Sequence, residues 1–288
     1  MPLAINDVIT ISRLIILLIT TIPMRIIIIL CTAIMLLSTS AQASDKCLLV
    51  QESGKILKQE GDCDKRYSPG ATFDIVLALI GYQEDVLTDQ ISPNLSYQEG
   101  YADWVDKWQQ DHDPSTWMRH GCFWYSQIVA QQIGMDKLIG YMAKFSFGNQ
   151  DLSADKDKNN EVLDFWLDSS LQISPQEYMS FLQKLVDGNF AINRKSYAMT
   201  KSILFVEKLP GGWKHYGTSI SNPVLNKERT LKLDLMQGWS IDWIEKDDRT
   251  IFFINHLIDR TIHRKPYGLP ITPNARKQIL KIIEENNW

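Results

Sequence analysis

The sequence predicts an α+β fold in which one antiparallel sheet is assembled from both ends of the chain and a helical lobe is inserted between them. Three observations carry this. Period-two apolar alternation occurs after residue 46 and again after residue 201, which is strand spacing. Between about 71 and 195 the apolar residues recur at three- and four-residue intervals, which is helix spacing. No repeat, low-complexity run or linker divides the two regions, so they are expected to share one core.

The 288 residues are 44% hydrophobic and 10% aromatic, enough for a full core. A net charge of −4, with no basic run, argues against a nucleic-acid partner.

The first 43 residues read as a targeting segment. Met24-Arg25 opens a charged region and is the expected translation start. Ile26 to Leu37 is an apolar run of signal-peptide length, and Ala41-Gln42-Ala43 supplies small residues for cleavage after Ala43. The expected product is an exported domain, 44–288, periplasmic or secreted, that meets a membrane only through an uncleaved signal.

Within that domain, Cys47-Leu48-Leu49-Val50 and Lys55-Ile56-Leu57-Lys58 flank a Gln51-Glu52-Ser53-Gly54 turn and predict a hairpin. A polar loop with Gly61, Pro69 and Gly70 leads to a helix from Ala71, with Phe73, Leu77 and Ile80 inward. Trp124 to Ile133 is helical and stops at Gly134. Ser174-Pro175-Gln176-Glu177 is a capping box with proline at the first helical position, and Tyr178, Phe181, Leu182 and Leu185 form the buried stripe that follows.

Strand spacing resumes from Ser202 to Glu207 and from Gly212 to Tyr216, with Pro210-Gly211-Gly212 turning between them. Trp239, Ile241 and Trp243 alternate with Ser240 and Asp242, predicting a half-buried strand. Thr250 to Ile254 reads as a strand buried on both faces. Thr272-Pro273 starts a last helix, with Ile279, Leu280 and Ile283 inward.

Cys31 leaves with the signal, so Cys47, Cys63 and Cys122 remain, allowing at most one disulfide. Cys47 with Cys63 is the obvious pair, and two buried thiols are the alternative. Cys122 lies in an apolar stretch and reads as a small buried hydrophobe.

The run Tyr67-Ser68-Pro69-Gly70-Ala71-Thr72-Phe73-Asp74-Ile75 resembles the active-site helix start of class D β-lactamases (oxacillinases). The resemblance extends in order through Gln59 to Cys63, Phe73 to Gly81, Trp124 to Gln127, Lys144 to Asn160, Phe165 to Asp187, Lys208 to Lys214 and Gly238-Trp239. It implies the serine β-lactamase/transpeptidase fold.

It also implies where the chemistry would sit. Acyl transfer needs a nucleophile at a helix start and a base one turn on. The family's Ser-x-x-Lys, with a lysine that is carboxylated to act as base, falls on Ala71 and Asp74. Its Ser-x-Val falls on Gly121-Cys122-Phe123, which lacks the relay hydroxyl. Its Tyr/Phe-Gly-Asn is retained as Phe147-Gly148-Asn149, and the tryptophan that hydrogen-bonds the carboxylated lysine as Trp166. Its Lys-Thr/Ser-Gly falls on Thr218-Ser219-Ile220, which lacks the carboxylate-binding lysine and the strand glycine.

The joint changes at Ala71, Asp74, Gly121, Phe123, Thr218, Ser219 and Ile220 predict a catalytically inactive homologue with no catalytic residue. The expected partner is then a β-lactam, a peptidoglycan peptide or a periplasmic protein. The rivals are an active β-lactamase using Ser68 or Ser126, and a non-covalent sensor. Helical spacing sets Ser126 on a different face from Gly121, and Lys214 reads as a solvated strand lysine.

Ser153-Ala154-Asp155-Lys156 also spells Ser-x-x-Lys, but no apolar helical face follows it. The five histidines show no metal-ligand spacing, and no phosphate loop occurs. Asp103, Asp106, Asp111 and Asp113 lack the glycine and closing glutamate of a calcium loop and read as a solvated helix face and its end. No cofactor or metal is expected.

Overall fold

A computed structural model describes residues 46–155, 164–167, 169–225, 231–259, 275–286 and 288. The expectations for the signal segment and for the start of the last helix at Thr272-Pro273 lie outside these residues.

The hairpin forms as β1 (Lys46–Glu52) and β2 (Lys55–Gly61). The second half of the chain supplies β3 (Phe205–Lys208), β4 (Lys214–Leu225), β5 (Leu231–Lys246) and β6 (Arg249–Asp259). They make one six-stranded sheet in the order β2-β1-β6-β5-β4-β3, with every neighbouring pair antiparallel. The N-terminal hairpin therefore docks on the last strand, as the split strand signals require. Cys47 and Cys63 are joined by a disulfide, and Cys122 is a buried free thiol.

The lobe is built from α1 (Asp74–Gln83), α2 (Pro114–His120), α3 (Phe123–Ile133), α4 (Met135–Phe145), α5 (Pro175–Val186) and α6 (Arg194–Ile203). Asp74 to Tyr82 is buried without a break, so α1 is the axle of the lobe rather than an amphipathic surface helix. Each fully buried Leu or Ile on it contributes roughly 1.5–3 kcal/mol relative to exposure. The capping box at Ser174 and Glu177 forms as predicted.

The structure departs from the sequence reading in several places. Residues 70–73 form a 3₁₀ turn, and the α-helix begins at Asp74. Helix α6 runs on to Ile203, because Ser196, Thr200 and Ile203 continue one buried helical stripe, so strand β3 starts only at Phe205. Strand β5 is buried on both faces at 239–243: Trp239 packs on Tyr178 of the lobe, and Ile244 belongs to a second core beneath α7 (Ala275–Glu285). The acidic stretch is no helix: Asp106 opens a single 3₁₀ turn, while Asp113 is the N-cap of α2.

Candidate acyl site

Residues 67–70 run as a strap into α1. Tyr67 exchanges backbone hydrogen bonds with Ile173 at 3.0 and 2.8 Å. Ser68 Oγ donates to the Trp166 carbonyl at 2.6 Å, and Gly70 N–H donates to the same oxygen at 2.9 Å. Gln237 Nε2 and Trp239 Nε1 both donate to the Ser68 carbonyl, the indole at 2.9 Å. Ser68 is thus buried and held by its own bonds.

Ala71 follows, 7% exposed, with no atom able to attack a carbonyl. Gly121 sits beside it in the left-handed conformation (φ 55°) that ends α2. A β-carbon on Gly121 would lie 3.1 Å from Ile220 Cδ1 and 3.7 Å from Ala71 Cβ. Three separate segments assigned to the site from sequence therefore do converge. At the meeting point are a methyl group, a glycine and a branched aliphatic side chain.

Asp74, three residues after Ala71 and the first residue of α1, is fully buried. Ser126 Oγ donates to its Oδ1 at 2.6 Å, and Trp117 Nε1 donates to Ser126 Oγ at 2.8 Å. Its Oδ2 has no partner among the described residues. Burial pushes the Asp74 carboxyl well above the usual carboxylate range, and the bond to Ser126 opposes this only in part. Ser126 Oγ also lies 3.2 Å from the Cys122 carbonyl oxygen. The helical-spacing argument set Ser126 on a different face from Gly121, and the structure shows that it meets Asp74, with no exposed surface. No single-helix periodicity reports a bond between α1 and α3.

Phe123 is 6% exposed and stacks on Trp104 at 5.2 Å, with its edge 6.0 Å from the Trp166 ring. Trp166 stacks on Phe73 at 5.5 Å, and its buried Nε1 has no hydrogen-bond partner among the described residues. Among the described residues an indole N–H and a carboxyl oxygen are thus both left unpaired in the lobe, at the two positions that the sequence resemblance aligns with a carboxylated lysine and its tryptophan partner.

The Phe147-Gly148-Asn149 segment is a built turn. Phe147 packs on Phe73, Tyr178 and Phe181. Gly148 has φ 53°, and a β-carbon there would lie 2.1 Å from the Gln172 carbonyl oxygen. Asn149 Nδ2 donates to the Ser170 carbonyl at 2.8 Å, while its Oδ1 accepts from Gln172 N–H at 2.9 Å and Asp151 N–H at 3.2 Å.

On β4 the sequence assignment divides. Thr218 and Ile220 pair with Ile241 and Trp239 and face the lobe. Ser219 points to the other side of the sheet, where its hydroxyl meets Ser240 Oγ at 2.7 Å. Ser240 in turn donates to Asp242, whose Oδ1 lies 2.8 Å from His215 Nε2. Ser219 is therefore not part of the pocket, a consequence of strand alternation that reading the tripeptide as one motif ignores. Lys214 is exposed at the start of the strand. Ser153 lies in an exposed 3₁₀ turn with Asp155, and Lys156 is outside the described residues. Among the described residues, no group of three or more His, Cys, Asp or Glu side chains could hold a metal.

Residues 41–281 match the family model described as penicillin binding protein transpeptidase domain. The chain is 29% identical over 252 residues to β-lactamase OXA-9 of Klebsiella pneumoniae, covering 85% of this chain and 90% of that one. It is 31% identical over 192 residues to the regulatory protein BlaR1 of Bacillus licheniformis, covering 67% of this chain and 29% of BlaR1. The crystal structure of the OXA-427 class D β-lactamase superposes with a TM-score of 0.72 at 31% identity, over 84% of this chain and 98% of that one.

Proposed function

Because the chain belongs to the class D β-lactamase/transpeptidase family, we propose that it is a non-acylating member of it, an exported protein that binds rather than hydrolyses. One observation carries the reading: where the family's nucleophile would stand, the Ala71 methyl lies beside Gly121 and Ile220. Covalent catalysis needs a nucleophile and a base within hydrogen-bond reach. Ala71 supplies no hydroxyl. Asp74 is fully buried and already bonded to Ser126, so it serves no nucleophile as a base. Both rival serines are engaged in the interior: Ser126 has no exposed surface, and Ser68 is 6% exposed.

Binding would differ from the family's as well. Thr218 offers a hydroxyl in place of a cation, so a substrate carboxylate loses its charge partner, and the Ile220 side chain occupies space where a strand glycine would let a ligand lie flat. The expected ligand is a β-lactam or peptidoglycan peptide held weakly and without a covalent bond. The similarity to BlaR1, a regulatory protein by name, makes a signalling role the second reading within the same binding class.

The test is hydrolysis of a chromogenic cephalosporin by the purified protein. The expected rate is that of buffer alone. Turnover that Ser68→Ala or Ser126→Ala abolishes would overturn the proposal.

A further inference from the structure

Beside the acyl site two histidines share one hydrogen bond. His112 is completely buried, with Nδ1 2.9 Å from the Gln110 carbonyl oxygen and Nε2 3.1 Å from His120 Nδ1. A carbonyl only accepts, so His112 carries its proton on Nδ1 and presents a bare Nε2. His120 must then carry its proton on Nδ1 and donate it. The geometry fixes both tautomers.

This bond can tolerate one added proton but not two. A proton on His120 Nε2 leaves the Nδ1–H donor in place. A second, on His112 Nε2, sets two N–H groups head to head in a buried space. Burial lowers the affinity of both rings for protons. For His112 the Gln110 carbonyl and the carboxylates of Asp113 and Asp111 pull the other way. For His120 the neighbouring His112, Lys107 and Arg119 add to the lowering, and Asp113 opposes it.

The pair also pins a long irregular segment. Residues 84–113 join α1 to α2 with little regular structure. His112 exchanges backbone bonds with Leu95 at 2.9 and 2.8 Å, and its ring edge meets Trp124 at 5.5 Å. Trp108 Nε1 donates to the His120 carbonyl at 3.0 Å, and Trp124 Nε1 donates to the Trp108 carbonyl at 2.9 Å. The same segment carries Trp104, 38% exposed and stacked on Phe123 next to Gly121.

We propose that the His112–His120 pair is an acid-released latch that holds the 84–113 segment, and with it Trp104, against the acyl site. The proposal goes beyond the non-acylating reading and stands whether or not the site is acylated. Because the folded rings bind protons less readily than free imidazole, the latch is intact above the unfolded histidine value of about 6.5 and loosens as pH falls below it. The opening equilibrium should rise by up to about tenfold per pH unit for each proton taken up.

Hydrogen exchange of the full chain at pH 7.5 and 4.5, corrected for intrinsic exchange rates, tests this. Peptides from 89–113 should exchange at least tenfold faster in acid, while peptides from α5 should not. His120→Asn should reduce the difference markedly, because the amide offers N–H to neutral His112 and, once flipped, its oxygen to protonated His112, which leaves only the burial of His112 to favour opening in acid. Acid protection equal to that at pH 7.5, or an acid response undiminished in His120→Asn, would overturn the latch. If His120→Asn fails to fold, ¹⁵N spectra of the wild-type imidazoles decide: the latch requires His112 as the Nδ1–H tautomer at pH 7.5, and an Nε2–H tautomer contradicts it.

Discussion

The Asn149 turn and the Asp74 pocket occupy the same lobe and derive from motifs of the same family site, but they are in opposite physical condition. Around Asn149 both polar atoms of the side chain are hydrogen-bonded, and Gly148 is the residue its backbone requires. Around Asp74 a carboxyl oxygen and the Trp166 indole N–H are buried without partners among the described residues, and aliphatic atoms meet at Ala71, Gly121 and Ile220. The turn ties residues 147–151 to 170–172 and is needed for the lobe to close. Among the described residues, the carboxyl of Asp74 instead bonds only Ser126, which Trp117 bonds in turn.

The largest expected effect lies on the turn. Gly148→Ala adds a β-carbon against a backbone oxygen at a positive φ, and should destabilise by roughly 3 kcal/mol or more, or abolish folding. Denaturant unfolding measures it. A change under ~1 kcal/mol would mean that the turn is adaptable and the contrast with the pocket is overstated.

The pocket should respond in the opposite direction. Asp74 has a folded pKa raised above its unfolded value of about 3.9, so the folded state holds a proton that the unfolded state releases. Stability then falls as pH rises above that value, by about 1.4 kcal/mol per unit, until the folded carboxyl itself ionises. Asp74→Asn keeps an acceptor for Ser126 and removes this slope. It should be more stable than wild type at pH 7, with the difference vanishing near pH 3. An equal stability difference at both pH values would show that the fold does not raise the Asp74 pKa.

A smaller effect is expected at the plug. Ile220→Gly removes a half-buried side chain and should cost about 1–2 kcal/mol while opening space beside Ala71 and Gly121. Weak penicillin binding, read as a thermal shift absent from wild type, should accompany it. The smallest change is predicted for Ala71→Ser combined with Asp74→Lys. Ile220, Thr218 and Phe123 still shape the pocket, so cephalosporin hydrolysis should stay far below that of an active family member. Full activity in that double variant would show that those three residues are neutral.

The legible parts of the molecule are those with a local signature. The hairpin, the Ser174 capping box and the closing strands follow from spacing and turn residues within a few positions of one another. Ala71, Gly121 and Ile220 were legible together only through the order of family-like segments, since about fifty and about one hundred residues separate them in the chain. What stayed hidden depends on contacts between elements. The Ser126–Asp74 bond joins two helices, and the His112–His120 bond joins a loop to a helix end. Ser219 parts from Thr218 and Ile220 because alternate residues of a strand face opposite sides of the sheet, which a contiguous motif does not reveal.

The most direct measurement is the intact mass of the purified protein after incubation with a penicillin. The site predicts an unchanged mass, because no accessible nucleophile lies beside a base among the described residues. A stable adduct of one penicillin per chain, mapped to Ser68, Ser126 or any other side chain of the lobe, would contradict it.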